Sequence, residues 1–375
     1  LAVPLTSLRL LLFCILLAIG GPIAIGVLVW RNRAPRMSRW MLPATVAVVL
    51  LAQGSAVAAV ALDVNRDYGF YPDWASLFGT GVAPPVVAKG VRLGLNGQAI
   101  PHRPVLRVPD PASGTGRYEQ VTLAGQHSGI TQKVIAWLPP QYGDRRYATT
   151  KFPVVMVLGG ADVHIAFVVQ RLDFAQTASE EINAGRVAPF IAVFPEINVG
   201  LPIDTECTDL PGEPQAFTWL DQDVPDWTKS NLRVSHNPSQ WSVMGWSTGG
   251  YCAALLHLRD PGRFGAAASV EGYYSPEPDS TTGTLGPRLR QDPRLAHEYS
   301  PTWLIEHRPP LTTHLLVMTS MKDPQSRPQS LQFLRREKNI PGVQPYVLQD
   351  LGHSLDSYSA VLPPILGWLA DVAGA

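Results

Sequence analysis

The sequence predicts an α/β protein, a mostly parallel sheet with helices on both faces, preceded by two N-terminal transmembrane helices. Three observations carry this reading. Two long stretches near the N-terminus, residues 10–30 and 41–62, hold no ionisable side chain except Cys14. From about residue 119 onward, short apolar runs alternate with amphipathic stretches. Within that alternation, Gly245-Trp246-Ser247-Thr248-Gly249 stands between an apolar run and a small-residue helical stretch.

The composition agrees. Of 375 residues, 46% are hydrophobic and 16% charged, against roughly 25% charged in ordinary soluble domains, so part of the chain avoids water. Thirty basic residues balance thirty acidic ones, and no basic run is present. Such a chain has no field to hold a polyanion, which excludes nucleic acid as a partner. The apolar content excludes disorder, and nothing recurs at a fixed spacing.

Each apolar stretch matches the roughly 20 residues that cross about 30 Å of hydrocarbon as a helix. A signal peptide is the weaker reading of the first, because it exceeds a typical h-region and a second span follows at once. The connector Arg31-Asn32-Arg33-Ala34-Pro35-Arg36-Met37-Ser38-Arg39 carries four arginines and no acid, whereas Asp63-Val64-Asn65-Arg66-Asp67 follows the second span. Positive-inside logic puts the connector in the cytoplasm and everything after Leu62 outside. The expectation is a multi-pass cell-membrane protein with an extracellular C-terminal domain. The first residue is Leu1, not Met, which leaves room for an upstream segment without moving that domain.

Residues 1–62 are thus a membrane anchor and 63–118, rich in Gly and Pro, a juxtamembrane segment and linker. The aromatic cluster Tyr68–Trp74 suits either the lipid interface or packing on the following domain. Residues 119–375 are expected to form one further domain, a size suited to one α/β unit. Gln120–Gly125 and Lys133–Leu138 read as a β-hairpin. Buried-type strands follow at Pro153–Leu158, Phe190–Phe194, Trp241–Met244, Ala266–Val270, His314–Met318 and Tyr346–Leu348. Helices are expected at Ile165–Ala184, Asp226–Arg233, Thr248–Arg259, Ser326–Lys338 and Ser354–Val372. The Pro-, Gly- and charge-rich stretch Tyr274–Pro309 reads as an inserted cap or long loop.

Chemistry centres on Ser247. A G-x-S-x-G pentapeptide between strand and helix is the nucleophile elbow of an α/β-hydrolase fold. The serine occupies a strained turn, and side chains two positions either side would strike the neighbouring strand and helix. At a helix N-terminus it also meets N–H groups suited to developing negative charge. The base must follow in the chain, after an acid. His297 and His307 lie in the variable insertion and His314 in an apolar strand run. His353 stands directly after the last strand and before the last helix, where the base belongs. Asp323 follows the preceding strand and would fix the imidazole tautomer. One oxyanion-hole N–H should come from Thr248. The other should come from Gly159-Gly160-Ala161-Asp162, with Ala161 the first choice and Gly160 the alternative.

Cys207 and Cys252 are candidates for one disulfide that would tether a loop beside Ser247. Glu206, Asp204 and Asp209 would then line the pocket and favour a polar or cationic head group. Neither cysteine has metal-ligand spacing, and no phosphate loop, dinucleotide fingerprint or H-E-x-x-H occurs, so no metal and no cofactor is expected.

The elbow Gly245–Gly250, the stretch Leu258-Arg259-Asp260-Pro261-Gly262-Arg263-Phe264, the Gly159–Ala161 loop and the Gly352-His353 ending resemble the actinobacterial branch of the putative-esterase (esterase D-like) family. That family includes the mycolyltransferases of the secreted mycobacterial antigen complex. The resemblance covers about residues 119–372 and implies a serine acyl-enzyme mechanism on esters, with Ser247, Asp323 and His353 inheriting the triad. Two departures stand out: the mycolyltransferases carry Glu as the acid, and an arginine where Asp162 stands here. The expectation is therefore a membrane-anchored serine esterase acting on an acyl ester of a lipid or cell-envelope component. Acyl transfer of the mycolyltransferase type and a non-catalytic envelope-binding domain are the alternatives.

Overall fold

The structure is a computed structural model. It describes residues 7–31, 41–68 and 111–373, apart from 162, 201–202, 280–281, 309–312, 324, 338–339, 350–351 and 354. The arginine-rich connector after Arg31, most of the segment read as a linker, and Asp162 therefore lie outside the described residues.

The chain divides into two compact units, Leu1–Val86 and Val87–Ala375. In the first, α1 (Leu8–Arg31) and α2 (Met41–Tyr68) pack on each other through Leu11, Ala59 and Leu62, with Leu10 and Cys14 alongside. Leu16, Ile19, Leu50 and Val57 point outward and are exposed. By length and composition, Leu8–Val27 and Pro43–Asp63 each suffice to cross a membrane.

The second unit is built on an eight-stranded sheet. Its strands are β1 (Arg117–Ala124), β2 (Thr131–Leu138), β3 (Val154–Leu158), β4 (Ile191–Pro195), β5 (Trp241–Trp246), β6 (Ala266–Val270), β7 (Leu315–Ser320) and β8 (Val343–Leu348). They lie in the order β1-β2-β4-β3-β5-β6-β7-β8. The β1–β2 hairpin is antiparallel, with Arg117 opposite Leu138 and Ala124 opposite Thr131, and β2 also runs antiparallel to β4. Every other pairing is parallel. Strands β3 to β7 are buried throughout, because helices cover both faces and the side chains alternate between two cores. In β3, Val154, Met156 and Leu158 enter one core, whereas Val155 and Val157 enter the other.

The helical layers are α3 (Ile165–Arg171), α4 (Phe174–Asn183), α5 (Val224–Asn231), α6 (Thr248–Arg259), α7 (Leu285–Gln291), α8 (Pro293–Glu298), α9 (Pro301–His307), α10 (Arg327–Arg336) and α11 (Leu355–Ala373). The sequence predicts a single helix over Ile165–Ala184. The structure breaks it at Leu172 and Asp173, where Asp173 takes φ 46°. Asp is among the few residues that adopt this left-handed conformation readily. The break lets Val168, Leu172, Phe174 and Ala178 all face the sheet. The expected cap segment folds into the three short helices α7, α8 and α9. His314 directly precedes β7, not within it.

Chain order reverses around β3: β4 lies on one side and β5 on the other. The crevice at the C-terminal ends of such strands is where open α/β sheets bind ligands.

Candidate active site

At this crevice a single residue, Ser247, turns the chain from β5 into α6, with φ 56° and ψ −127°. A side chain in that region costs on the order of 1–3 kcal/mol. The surroundings hold it there. Its N–H donates to the Val270 carbonyl at 2.9 Å, and its own carbonyl accepts from the N–H groups of Gly250 at 2.9 Å and Tyr251 at 3.1 Å. The flanking glycines follow from close approach. A Cβ on Gly245 would strike the Gly249 carbonyl oxygen. One on Gly249 would strike the Gly159 carbonyl and sit 2.6 Å from the Leu158 carbonyl oxygen. Helix α6 thus begins directly against the end of β3, and Ser247 stays partly exposed.

The loop after β3 reaches the serine: a Cβ built on Gly160 would lie 3.5 Å from Ser247 Cβ and 3.9 Å from its Oγ. Asn198, a residue that sequence reasoning missed, pins this loop. Its Nδ2 donates to the carbonyls of Gly160 at 3.3 Å and Val163 at 3.1 Å. Glu196 accepts from the N–H groups of Asn198 and Ile165, each at 3.2 Å, and so fixes both ends of the pin. In a trans peptide the C=O and the following N–H point in opposite directions. Drawing the Gly160 carbonyl toward Asn198 therefore turns the Ala161 N–H away from it. Thr248, buried at the first position of α6, accepts on Oγ1 from the Tyr273 hydroxyl at 3.4 Å.

Asp323, three residues past the end of β7, is completely buried. Its Oδ2 lies 3.1 Å from His353 Nδ1. The carboxylate also accepts from the Gln325 N–H at 2.8 Å and from both the N–H and hydroxyl of Ser326. Burial alone would raise its pKa, but the hydrogen bonds from His353, Ser326 and Gln325 outweigh it and hold the group below its ordinary value. His353 stands between β8 and α11, edge-on to Tyr358 at 5.8 Å, and Tyr358 stacks on Trp246 at 5.4 Å. The imidazole is thereby linked by two ring contacts to the residue before Ser247. The ends of β3, β5, β7 and β8 bring Gly160, Ser247, Asp323 and His353 to one edge of the sheet.

Sequence reasoning also missed Glu271. It follows β6 immediately, as Asp323 follows β7, and that placement was the available signal. Only 3% exposed and at φ 48°, it holds Oε2 3.6 Å from His353 Nδ1. Burial, reinforced by the neighbouring charge of Asp323, pushes its pKa up to about 8. Among the described residues, Glu271, Asp323 and His353 are the group that could hold a metal ion, with donor atoms within 4.8 Å of one another.

The structure joins Cys207 and Cys252 in a disulfide, with Cα atoms 5.9 Å apart, which ties the loop after β4 to α6. The acids of that loop are engaged in hydrogen bonds. Glu206 turns inward, accepting from the Tyr273 hydroxyl and the Glu277 N–H, both at 3.1 Å. Burial and the nearby Asp204 push its pKa to about 8. Asp204 accepts from the Glu206 N–H at 2.9 Å, and Asp209 from the N–H and hydroxyl of Thr218. His257 is structural too: buried, 2.9 Å from the Phe264 carbonyl, its pKa lowered to about 4 by burial. His297 and His307 stack on either face of Trp303.

Residues 127–362 match the profile of a family described as putative esterase. The MPT51/MPB51 antigen of Mycobacterium tuberculosis is 26% identical over 144 residues, which cover 37% of this chain and 46% of that protein. The chain thus spans about half the length of this relative. Among solved structures, a ferulic acid esterase superposes with a TM-score of 0.60 at 17% identity, covering 69% of this chain and 99% of the other. An S-formylglutathione hydrolase from Agrobacterium tumefaciens gives 0.59 at 17% identity, covering 71% and 99%. These likenesses show an α/β-hydrolase-like fold. With well over half of its length matching the family profile, the chain belongs to the putative esterase family.

Proposed function

We propose that this protein is a membrane-tethered serine esterase whose catalytic domain lies outside the cell. The observation that carries the reading is the convergence of a left-handed Ser247, the Asp323–His353 pair and the Gly160 loop on one sheet edge. Ser247 Oγ attacks the acyl carbonyl while His353 Nε2 takes its proton. Asp323 keeps the other imidazole nitrogen protonated and stabilises the imidazolium. The N–H groups of Thr248 and Ala161 receive the oxyanion, each such donor being worth about 3 kcal/mol of barrier. The orientation that Asn198 imposes on the Gly160–Ala161 peptide supports Ala161 over Gly160 as the second donor. Collapse of the tetrahedral intermediate expels the alcohol, which takes the proton from His353. Water, activated by the same imidazole, then releases the acid. An alcohol acceptor in place of water gives acyl transfer at the same site.

The two apolar helices act as spans, the residues between α2 and β1 as the linker, and the substrate is an acyl ester of a lipid or envelope component. The test is fluorophosphonate labelling of the full chain in detergent, comparing wild type with Ser247→Ala and His353→Ala. Labelling of wild type that disappears in both variants is expected. A folded wild type that stays unlabelled would overturn the reading in favour of a non-catalytic binding domain.

A further inference from the structure

His353 does not face one carboxylate but two. Its Nδ1 lies 3.1 Å from Asp323 Oδ2 and 3.6 Å from Glu271 Oε2. The two acids differ in how they are satisfied. Asp323 accepts from Ser326 and Gln325 besides His353. Glu271 has fewer donors: its Oε2 is buried without a hydrogen bond, and the Tyr358 hydroxyl is the neighbouring group that favours its charged form. Nothing in packing requires a carboxylate here: the position directly follows β6, carries φ 48°, and would be occupied without strain by glycine. A buried, under-satisfied acid on a strained backbone, within half an ångström of matching the triad acid's distance, is placed for His353.

We propose that Glu271 is a second acid of the triad: a positioning residue that holds a proton beside the Asp323–His353 pair, ionises as pH rises, and can then take the Nδ1 hydrogen bond. The inference rests on Ser247 and His353 being nucleophile and base. The groups facing Glu271 from the elements packed on it are Asp323 after β7, His353 after β8 and Tyr358 on α11. Two carboxylates beside one another do not both ionise readily, and their surroundings split them. Asp323, with several donors, keeps its charge; Glu271, with burial and the Asp323 charge against it, keeps its proton near neutrality. Removing the Asp323 charge lets Glu271 ionise at lower pH. Its Oε2 then becomes the acceptor for Nδ1–H after a shift of a few tenths of an ångström.

The test compares Asp323→Asn, Glu271→Gln and the double variant in the full chain. Ester turnover is followed from pH 6 to 9.5, kcat and KM separately, with fluorophosphonate labelling alongside. Loss of a triad acid costs about 10⁴-fold in kcat when nothing replaces it. With Glu271 in reserve, Asp323→Asn is expected to fall only about 100-fold and to recover as pH rises, with KM little changed. Adding Glu271→Gln should remove a further factor of about 100 and abolish that recovery. If the double variant is no slower than Asp323→Asn at any pH, the proposal is wrong. Melting curves establish that each variant folds; should Glu271→Gln not fold, Glu271→Gly, which suits the left-handed backbone, takes its place. Labelling that persists in Ser247→Ala or His353→Ala overturns the esterase reading itself. Labelling lost in both of those, with single and double acid variants equal, overturns only the role of Glu271.

Discussion

Replacing both Cys207 and Cys252 with alanine tests how much the tether beside Ser247 contributes. The bridge closes a loop across 45 residues. The chain-entropy relation gives about 13 cal/mol/K for that length, or about 4 kcal/mol at 25 °C, as the stabilisation lost. Part of this returns. Glu206 and Cys207 hold φ of 44° and 51°, two successive left-handed residues that can relax once the bridge is gone. At about 1 kcal/mol each, relaxation leaves a net loss of about 2 kcal/mol or more. For a unit of this size, that lowers the melting temperature by about 4–8 °C. Relaxation also frees Glu206 from Tyr273, and Tyr273 from Thr248, so the first N–H of α6 loses its support. Thermal unfolding of the full chain in detergent, followed by tryptophan fluorescence, measures the first effect, and the rate of fluorophosphonate labelling the second. A melting temperature within 1 °C of wild type together with an unchanged labelling rate would refute the reasoning.

Two further outcomes follow from the site. Burial pushes the pKa values of Glu206 and Glu271 up to about 8 from the ordinary glutamate value of 4.5, so the folded state keeps protons that the unfolded chain releases. Their contribution is whole below about pH 4.5 and is lost as pH rises through about 8. Asp323 acts in the opposite sense, stabilising above its unfolded value of 3.8 and losing that effect as pH falls through its lower folded value. Melting temperature should therefore decline from pH 5 to 8, and Glu206→Gln should flatten the decline; a rise over that interval would contradict the assignment. Asn198→Ala releases the Gly160 and Val163 carbonyls, and kcat should fall about 10- to 100-fold with KM nearly constant, checked by steady-state ester kinetics.

Much of the fold was readable because its strands obey a simple rule. A strand buried on both faces is predominantly apolar, so β3 and β4 appear as unbroken runs, and β5 and β6 as runs interrupted only by Ser242, Gly245 and Ser269. The β8 edge, exposed along most of its length, carries no such run, and only Tyr346–Leu348 of Val343–Leu348 was recognisable. Gly245 and Gly249 were legible because close approach excludes every other residue. Asn198 and Glu196 were not, because a side chain that bonds a distant carbonyl leaves no periodic trace. The bonds of the acids after β4 were hidden for a related reason: a charged loop residue looks solvent-facing until its donors are known, and Glu206 and Asp209 accept from Tyr273 and Thr218. The split between α3 and α4 hinges on one backbone angle at Asp173, which no pattern of polarity encodes.

Five non-glycine residues in the described chain hold positive φ, and Ser247, Glu271, Glu206 and Cys207 are four of them. Most of the positive-φ backbone that carries a side chain is thus concentrated around a single serine. Robustness and turnover consequently pull in different directions at these positions. A library sorted for thermal resistance alone would enrich glycine at 206 and 271, relaxing the backbone while discarding the groups that surround the imidazole and the helix start. A library sorted for ester turnover would discard those same winners. Improvement of the enzyme has to draw its stability from elsewhere, such as the surface of α4 or α10, and leave the strained residues in place.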